Sequence, residues 1–384
     1  MISDPIAIFV VLAAVVWVSL QLEERFALFR SLGAALVGIL VAMALSNIGL
    51  LPGISPTYDL LSSTGVSLAI AFILLSVDIR SVLSAGPRML AAFALGAAGT
   101  AVGATLGALL LFRQVGPETW KLAGQFTGTY TGGGMNFAAL GRALDTSSDL
   151  FTAAIAADVV VTAIWMAACL AAPLLLGRAR QPSAAPQPGL GPSGAGKPIT
   201  LERTLYESVR AVRIGDAAAL VVIAVGALWL AGRIGALFPA FPQVLWLTTI
   251  VLIIAQLAAV QRLAGSAMWG NYLLLLFLAS NGAQSVVANI FRIGPAVFYF
   301  AVTTVAVHGL VIFGIGRLVG LDLPTLAVAS QANVGGPASA MALAGARGYT
   351  DDLLPGIAVG LLGYAAGNYL GFSVATLLRQ LLAG

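Results

Sequence analysis

The chain has 384 residues, of which 59% are hydrophobic and 9% are charged, and its formal net charge is +4. A soluble domain carries about 25% charged residues, so this composition excludes a soluble globular protein and indicates a polytopic membrane protein. The basic residues cluster in one central segment, which indicates orientation in a membrane rather than nucleic-acid binding. One histidine and one cysteine do not suffice for a His/Cys metal cluster or an internal disulfide.

Membrane-spanning helices need about 20 predominantly apolar residues, and stretches of that length follow one another along the chain. In chain order the candidates are 5–22, 31–50, 58–77, 88–112, 119–143, 149–176, 214–235, 241–260, 266–286, 294–319, 324–346 and 353–378. We therefore predict an all-α membrane protein with about 10–12 transmembrane helices.

A long polar connection, 177–213, separates two transmembrane repeats, 1–176 and 214–384. Its middle is rich in Pro, Gly, Ala and Ser, which is typical of a flexible linker. Residues 201–213 form either a short amphipathic helix on the membrane surface or a solvated end of the linker. The positive-inside rule predicts a cytoplasmic linker, because the connection carries these basic residues: Arg178, Arg180, Lys197, Arg203, Arg210 and Arg213.

The two halves look like copies of each other. Residues 76–83 match 280–287 at an offset of 204, and each segment is followed by a Gly-Pro pair. At an offset of 203, Gly132-Gly133 matches Gly335-Gly336, and Asp149-Leu150 matches Asp352-Leu353. Three polar landmarks in the same order predict an internal duplication.

The relative orientation of the copies depends on the helix count. Twelve full spans would place an even number between equivalent helices, which gives parallel copies. Inverted copies, common in transporters with broken helices, require an odd number, so one candidate would be re-entrant or the count would be off by one. We favour inverted copies.

The stretch 127–137 differs from a plain membrane helix because it combines hydroxyls, an amide and the glycines Gly132, Gly133 and Gly134. Glycine favours local unwinding of a helix, and unwound backbone at membrane depth must be buried in protein or line a cavity. Freed carbonyls with side-chain oxygens suit Na⁺, and the N-terminus of the following half-helix suits an anionic group.

A second segment of the same kind, 330–339, breaks at Gly335 and Gly336, and Pro337 can start its following half-helix. Close packing through small residues would explain the glycines but not the clustered amides and hydroxyls. Two such segments in corresponding halves point to the binding site of a secondary transporter. The predicted substrate-binding residues are Thr129, Tyr130, Thr131, Asn136, Gln331, Asn333 and Ser339.

Polar residues in other apolar stretches are candidates for the coupling ion. Asp158 lies about two turns into 149–176, where a carboxylate is costly and usually functional. It either binds a cation or exchanges a proton, unless it is a satisfied packing residue or lies near the interface. Asp78 either helps a cation site or pairs with Arg80 at the interface. The full set of candidates is Asp158, Asp78, Ser330, Asn281 and Asn368.

Two further positions have a structural and a functional interpretation. His308 is alone in its span, and a hydrogen bond to a neighbouring helix is favoured over a role as proton carrier. Tyr364 and Asn368 share a helix face and either complete the polar lining or bond to another helix. We find no nucleophile–base–acid constellation and no phosphate-binding loop with a lysine, so we do not expect an enzyme. No cofactor is expected beyond Na⁺ or H⁺ as coupling ion.

With these motifs, the chain resembles the DUF819 (YjcL-like) family of bacterial and plastid membrane proteins over nearly its whole length. The most specific parts are 51–59, 129–133 with Asn136-Phe137, 332–338, and 360–364 with Gly367. The family is similar to the superfamily of cation:proton antiporters and sodium-coupled bile-acid-type symporters. That similarity implies inverted repeats, a core domain with two crossing broken helices, a panel domain that forms a homodimer, and an elevator-like motion. The resemblance implies a bacterial inner-membrane protein. Many members of the family are similar in having Ser at the position of Gly134, so this chain lacks one possible oxygen ligand there.

These observations predict a Na⁺-coupled symporter of a small organic, anionic solute, with the lipid bilayer as surroundings and no nucleic-acid partner. The first alternative is a cation:proton antiporter in which Asp158 titrates. The second is a membrane scaffold or sensor that transports nothing, against which the polar residues of the broken segments argue.

Overall fold

The computed structural model describes residues 2–79, 82, 85–175, 212–239, 241–285 and 287–382. Within these ranges the chain is helical apart from short connections and has no β-strand, which confirms the all-α prediction. Most of the predicted linker 177–213 and Arg80 lie outside the described residues.

Seven helices with described bounds lie in the first half, two of them short. They are α1 (Pro5–Arg25), α2 (Ala27–Asn47), α3 (Pro56–Leu74), α4 (Gly86–Val115), α5 (Thr119–Gly132), α6 (Gly134–Ala143) and α7 (Ser148–Leu175).

Seven helices with described bounds also lie in the second half. Its helices are α8 (Ile214–Leu237), α9 (Gln243–Ala255), α10 (Ala258–Gln261), α11 (Ser266–Ala283), α12 (Val287–Gly309, continued to Leu318), α13 (Leu323–Arg347) and α14 (Thr350–Leu382). Seven of the described helices are long and apolar enough to cross a membrane, namely α1, α3, α4, α7, α8, α12 and α14. Gly33–Asn47 and Gln243–Ala255 are shorter apolar helices.

Local sequence explains where several helices begin. Asp4, Ser55 and Asp322 each accept a hydrogen bond from a backbone amide of the first turn, at 2.8, 3.2 and 2.9 Å. A proline follows each of them within two residues. An N-cap acceptor followed by proline satisfies the free amides of the first turn and presets its backbone angle.

The predicted span 119–143 does not continue in one direction. The side chain of Gln125 donates to the carbonyl of Phe137 at 3.3 Å, and the amide of Ser147 donates to Glu118 at 3.0 Å. An uninterrupted helix would separate Glu118 and Ser147 by about 40 Å. Helices α5 and α6 are therefore antiparallel arms of a hairpin, hairpin 1, whose tip is Gly133 (φ 94°, ψ 177°).

Helix α13 turns back in the same way. Gly336 has nearly the same backbone angles as Gly133 (φ 75°, ψ −169°). A β-carbon at Gly356 of α14 would touch both Val328 and Ala340, which lie on opposite sides of the break. Segments 323–335 and 337–347 therefore form a second hairpin, hairpin 2, with Gly336 at its tip.

Helix α14 passes both hairpins, but in opposite senses. It packs Gly371 against Gly124 near the open end of hairpin 1 and Gly363 against Gly132 near its tip. At the other end of α14, Asp352 accepts from Thr325, at the open end of hairpin 2, at 2.9 Å. The hairpins thus enter from opposite ends of α14 and meet tip to tip near its middle, so the expected crossing of two broken helices is wrong.

Contacts between the halves are reciprocal. Asn47, at the end of α2, donates to the carbonyl of Ser285 after α11 at 3.1 Å. Gln256, at the end of α9, donates to the carbonyl of Val77 after α3 at 3.2 Å. Each amide also bonds to the carbonyl four residues before it. In each half, a side-chain amide at the end of the second long helix therefore bonds to the other half.

Candidate functional site at the hairpin tips

The two tips are in contact. A β-carbon at Gly133 would lie 3.7 Å from Cα of Gly336, and one at Gly336 would lie 3.4 Å from the carbonyl oxygen of Gly132. The ring of Tyr364, from α14, lies beside both glycines. Because glycine has no β-carbon, the backbones approach closely and leave peptide groups at the surface of the junction.

Backbone groups with negative and positive partial charge both lie at this junction. The first arm of each hairpin ends there with its carbonyls, and the second arm begins there with its amides. The amide of Gly133 still bonds to the carbonyl of Thr129 at 2.6 Å, and the carbonyl of Tyr130 accepts from Thr100 at 2.8 Å. Gly134 and Ala338, at the starts of the second arms, are exposed, so these amide ends are accessible.

Several buried polar atoms near the tips have no hydrogen-bond partner. They are the hydroxyls of Thr127, Thr129 and Thr131, Oδ1 of Asn136, and both amide atoms of Gln331. All five side chains are fully buried. Each unpaired group costs about 1–3 kcal/mol, so a cluster of them indicates a place for a polar ligand or water.

Asn136 and Ser339 occupy equivalent positions just after the two tips. Nδ2 of Asn136 donates to the carbonyl of Gly363 at 2.8 Å and to that of Gly128 at 3.3 Å, which ties hairpin 1 to α14. Ser339 and Gln331 lie together over Gly335, where a β-carbon would meet Nε2 of Gln331 at 3.0 Å. Both tips therefore carry a polar side chain on the second arm.

Asn333 faces away from the junction. It packs on Gly96 of α4, and its amide, oriented to satisfy its neighbours, donates to Phe93 at 3.2 Å and to Ala329 at 3.3 Å. Asn333 was predicted to bind substrate, but these contacts indicate that it holds hairpin 2 to α4.

Asp158 lies in the middle of α7, at the level of hairpin 1's tip, and is partly exposed. The hydroxyl of Thr162 donates to its carboxylate at 3.3 Å, and the phenol of Tyr130 faces it. The carboxylate is thus adjacent to a side chain of the first arm of hairpin 1.

His308 forms a buried network behind hairpin 2. Its Nδ1 lies 2.8 Å from the carbonyl of Gly96, and its Nε2 lies 2.8 Å from the hydroxyl of Ser330. A carbonyl can only accept, so Nδ1 carries the proton, and in the neutral ring Nε2 accepts from Ser330. Trp165 donates to Ser330 at 2.9 Å. Ser330 therefore joins three helices behind the tip, and no sequence motif indicated its partner Trp165.

Three further predicted ion ligands have the following surroundings. Asp78 follows Val77, whose carbonyl is held by Gln256. The carbonyl of Asn281 accepts from Ser285 at 2.8 Å on α11. Asn368 donates to Thr248 of α9 at 3.2 Å, and its Oδ1 lacks a partner.

Comparison with known proteins agrees with this membrane architecture. A family model described as "Protein of unknown function (DUF819)" matches residues 6–381. The chain is 30% identical over 371 residues to the "Uncharacterized membrane protein YjcL" of Bacillus subtilis (strain 168), covering 93% of both proteins. The chain therefore belongs to the DUF819 family and is an integral, multi-pass membrane protein.

Proposed function

We propose that the protein is a secondary active transporter that binds a small organic anion together with Na⁺ at the junction of the two hairpin tips. The observation that carries the proposal is the cluster of fully buried, unpartnered polar atoms on both tips. A purely structural junction would satisfy these atoms or replace them with apolar groups, whereas a transport site leaves them for its cargo.

The directions of the hairpins support inverted repeats. With hairpins that fold back, the remaining helices α1, α2, α3, α4 and α7 would cross in the first half and α8, α9, α11, α12 and α14 in the second. An odd number of crossings in each half reverses the second copy, consistent with hairpins that approach α14 from opposite ends. Inverted repeats with irregular backbone at the midplane are typical of secondary transporters.

Helix packing supports an elevator mechanism. The hairpins pack extensively with α4, α7 and α14, and α12 packs extensively with α4 and α7. In contrast, α1, α2, α3, α8, α9 and α11 pack mainly among themselves. We infer that the first group is a mobile core and the second a panel. The panel would form the homodimer that the family resemblance implies.

The proposed ligands follow from charge. Helix N-termini favour anions, and two of them begin at the accessible residues Gly134 and Ala338. Hydroxyl and amide oxygens of Thr129, Thr131 and Gln331, with the first-arm carbonyls, offer Na⁺ the hard oxygen ligands that it prefers. Na⁺ would offset the charge of the anion.

Membrane orientation follows from the same arrangement. The linker follows α7, whose C-terminal end lies at the open end of hairpin 2, because Arg347 donates to the carbonyl of Leu170. The basic linker would therefore lie with the hairpin 2 end in the cytoplasm.

A cation:proton antiporter is the second candidate, because Asp158 lies beside Tyr130 at the tip. In that case the carboxylate, rather than the tip oxygens, carries the exchanged ion. A fluorescent pH indicator in inside-out membrane vesicles would then report cation-driven proton release that Asp158→Asn abolishes. A symporter that uses hydroxyls and carbonyls would retain Na⁺ binding in this variant.

The test compares the thermal stability of purified protein in Na⁺ and in choline at constant ionic strength, with and without a set of small carboxylates. Na⁺ should stabilise the wild type. Thr131→Val should abolish the response and leave stability in choline unchanged or higher, because it removes an unpaired buried hydroxyl. Thr105→Val is the control, since its hydroxyl is satisfied by Ala101 of its own helix at 2.8 Å.

Each outcome bears on the proposal. Thermal stability that is unchanged by Na⁺ and by every carboxylate contradicts the proposed symporter. Thermal stability that depends on pH but not on Na⁺ favours the antiporter. If Thr105→Val lost the Na⁺ response to the same extent, the effect of Thr131→Val could not be assigned to Na⁺ binding at the tip.

A further inference from the structure

A separate cleft lies on the surface, at the open end of hairpin 1. It has a volume of about 540 Å³ and is lined by the ends of α4 and α14 and by the start of α5. Two of its lining residues are arginines, Arg113 of α4 and Arg379 of α14. Its size falls within the range of small-ligand sites.

Within the described residues, neither guanidinium group of this cleft forms an ion pair. The ion pair between Lys121 and Glu118, at 3.5 Å, contains neither Arg113 nor Arg379, and both arginine side chains are exposed. Two free guanidinium groups that line one cleft favour an anion with several oxygens, because a guanidinium binds phosphate through two parallel hydrogen bonds.

The remaining walls are apolar. Phe112, Pro117, Trp120 and Leu382 line the cleft. The guanidinium of Arg379 stacks on the ring of Trp120 at 5.2 Å, which fixes the direction of its donors. Phe112 is 42% exposed and Leu381, next to the cleft, is 60% exposed, so apolar surface continues outward from the arginines.

This combination is characteristic of a membrane–water interface. The arginines lie in the last turns of helices of 30 and 33 residues, which are long enough to place those turns at the headgroup level. Tryptophan is enriched at that level, and arginine extends its charge there from an apolar stem.

We propose that this cleft binds the phosphate headgroup of an anionic phospholipid, with the acyl chains along the exposed apolar surface beside it. The bound lipid links the α4–α5 connection, at the base of hairpin 1, to the end of α14. The proposal is independent of the transported solute. A soluble phosphate offers the same headgroup chemistry without the acyl chains, and the experiment separates the two sources.

The test titrates purified protein in a neutral detergent with dioctanoyl phosphatidylglycerol, dioctanoyl phosphatidylcholine and glycerol phosphate, and measures dissociation constants by native mass spectrometry. We expect phosphatidylglycerol to bind more tightly than either of the others. Arg113→Gln and Arg379→Gln should each weaken it roughly tenfold or more, the loss expected for a charge-assisted hydrogen bond. Arg233→Gln is the control, because Arg233 is also an exposed arginine near the C-terminal end of a long helix.

Arg379→Lys separates charge from geometry. It keeps the positive charge but loses the planar stack on Trp120, so part of the affinity should remain. In the unmodified protein, binding of phosphatidylglycerol should weaken with added salt, which tests the charge without a substitution.

Three results would overturn the proposal. The first is equal affinity for phosphatidylglycerol and phosphatidylcholine. The second is binding of glycerol phosphate as tight as that of the lipid. The third is unchanged lipid affinity in both glutamine variants, which would leave the arginines as partners of the helix C-termini alone.

Discussion

Alanine at Gly133 should damage the protein, whereas alanine at the adjacent Gly134 should not. Gly133 has φ 94° and ψ 177°, a combination that is nearly restricted to glycine. Gly134 is not among the glycines with positive φ, begins a helix and is exposed. The two variants add the same methyl group to neighbouring positions of one tip.

The expected magnitudes follow from the backbone angles and the surrounding space. At Gly133 the nearest atoms to a new β-carbon lie at 3.7 Å, so no collision adds to the conformational cost of about 1–3 kcal/mol. At Gly134 no atom lies within 4 Å, and alanine should gain about 0.4–1 kcal/mol by restricting the unfolded chain. The two variants should therefore differ by roughly 1–4 kcal/mol, with Gly133→Ala the less stable.

The assay heats detergent-solubilised protein and follows the loss of its monodisperse peak in size-exclusion chromatography. Gly133→Ala should lose the peak at a lower temperature than wild type, and Gly134→Ala at the same or a higher temperature. Gly336→Ala, at φ 75°, should behave like Gly133→Ala. Equal stability of the variants at 133 and 134 would refute the tip geometry.

Two further predictions concern hydrogen bonds inside the bundle. His308→Ala removes the bonds to Gly96 and Ser330 and leaves a buried cavity, so thermal stability should fall by about 2–4 kcal/mol; a loss below that of a single exposed substitution would contradict the network. Asn47→Ala and Gln256→Ala remove equivalent bonds between the halves and should each cost about 0.5–1.5 kcal/mol, measured as matched shifts in the same assay. A large loss for one and none for the other would argue against their equivalence.

The sequence predicted the positions of the two breaks but not their direction. Glycine runs at 132–134 and 335–336 identify the places where the helix stops, because glycine alone tolerates the required backbone angles. An apolar stretch with a break has the same composition whether its second part continues or folds back. The direction is decided by distant contacts, such as that of Gln125 with Phe137, which no local pattern reports.

For a similar reason, only some of the predicted ligands lie near the hairpin tips. Thr129, Thr131 and Gln331 are adjacent to the breaks in sequence and stay near the tips. Asp78 and Asn281 lie where the two halves align, yet Gln256 bonds to the carbonyl of Val77, next to Asp78, and Ser285 bonds to the carbonyl of Asn281. Alignment of repeats identifies equivalent positions but not the side of a helix that faces the site.

The most direct test of two hairpins that enter from opposite sides is the sidedness of their open ends. Single cysteines would be introduced at Pro117 and Ser147 for hairpin 1 and at Val319 and Thr350 for hairpin 2, all exposed, in a Cys169→Ser background. Labelling with a membrane-impermeant thiol reagent should reach 117 and 147 from one face of the membrane and 319 and 350 from the other. Labelling of 117 and 147 from opposite faces would show a continuous span and contradict the hairpin.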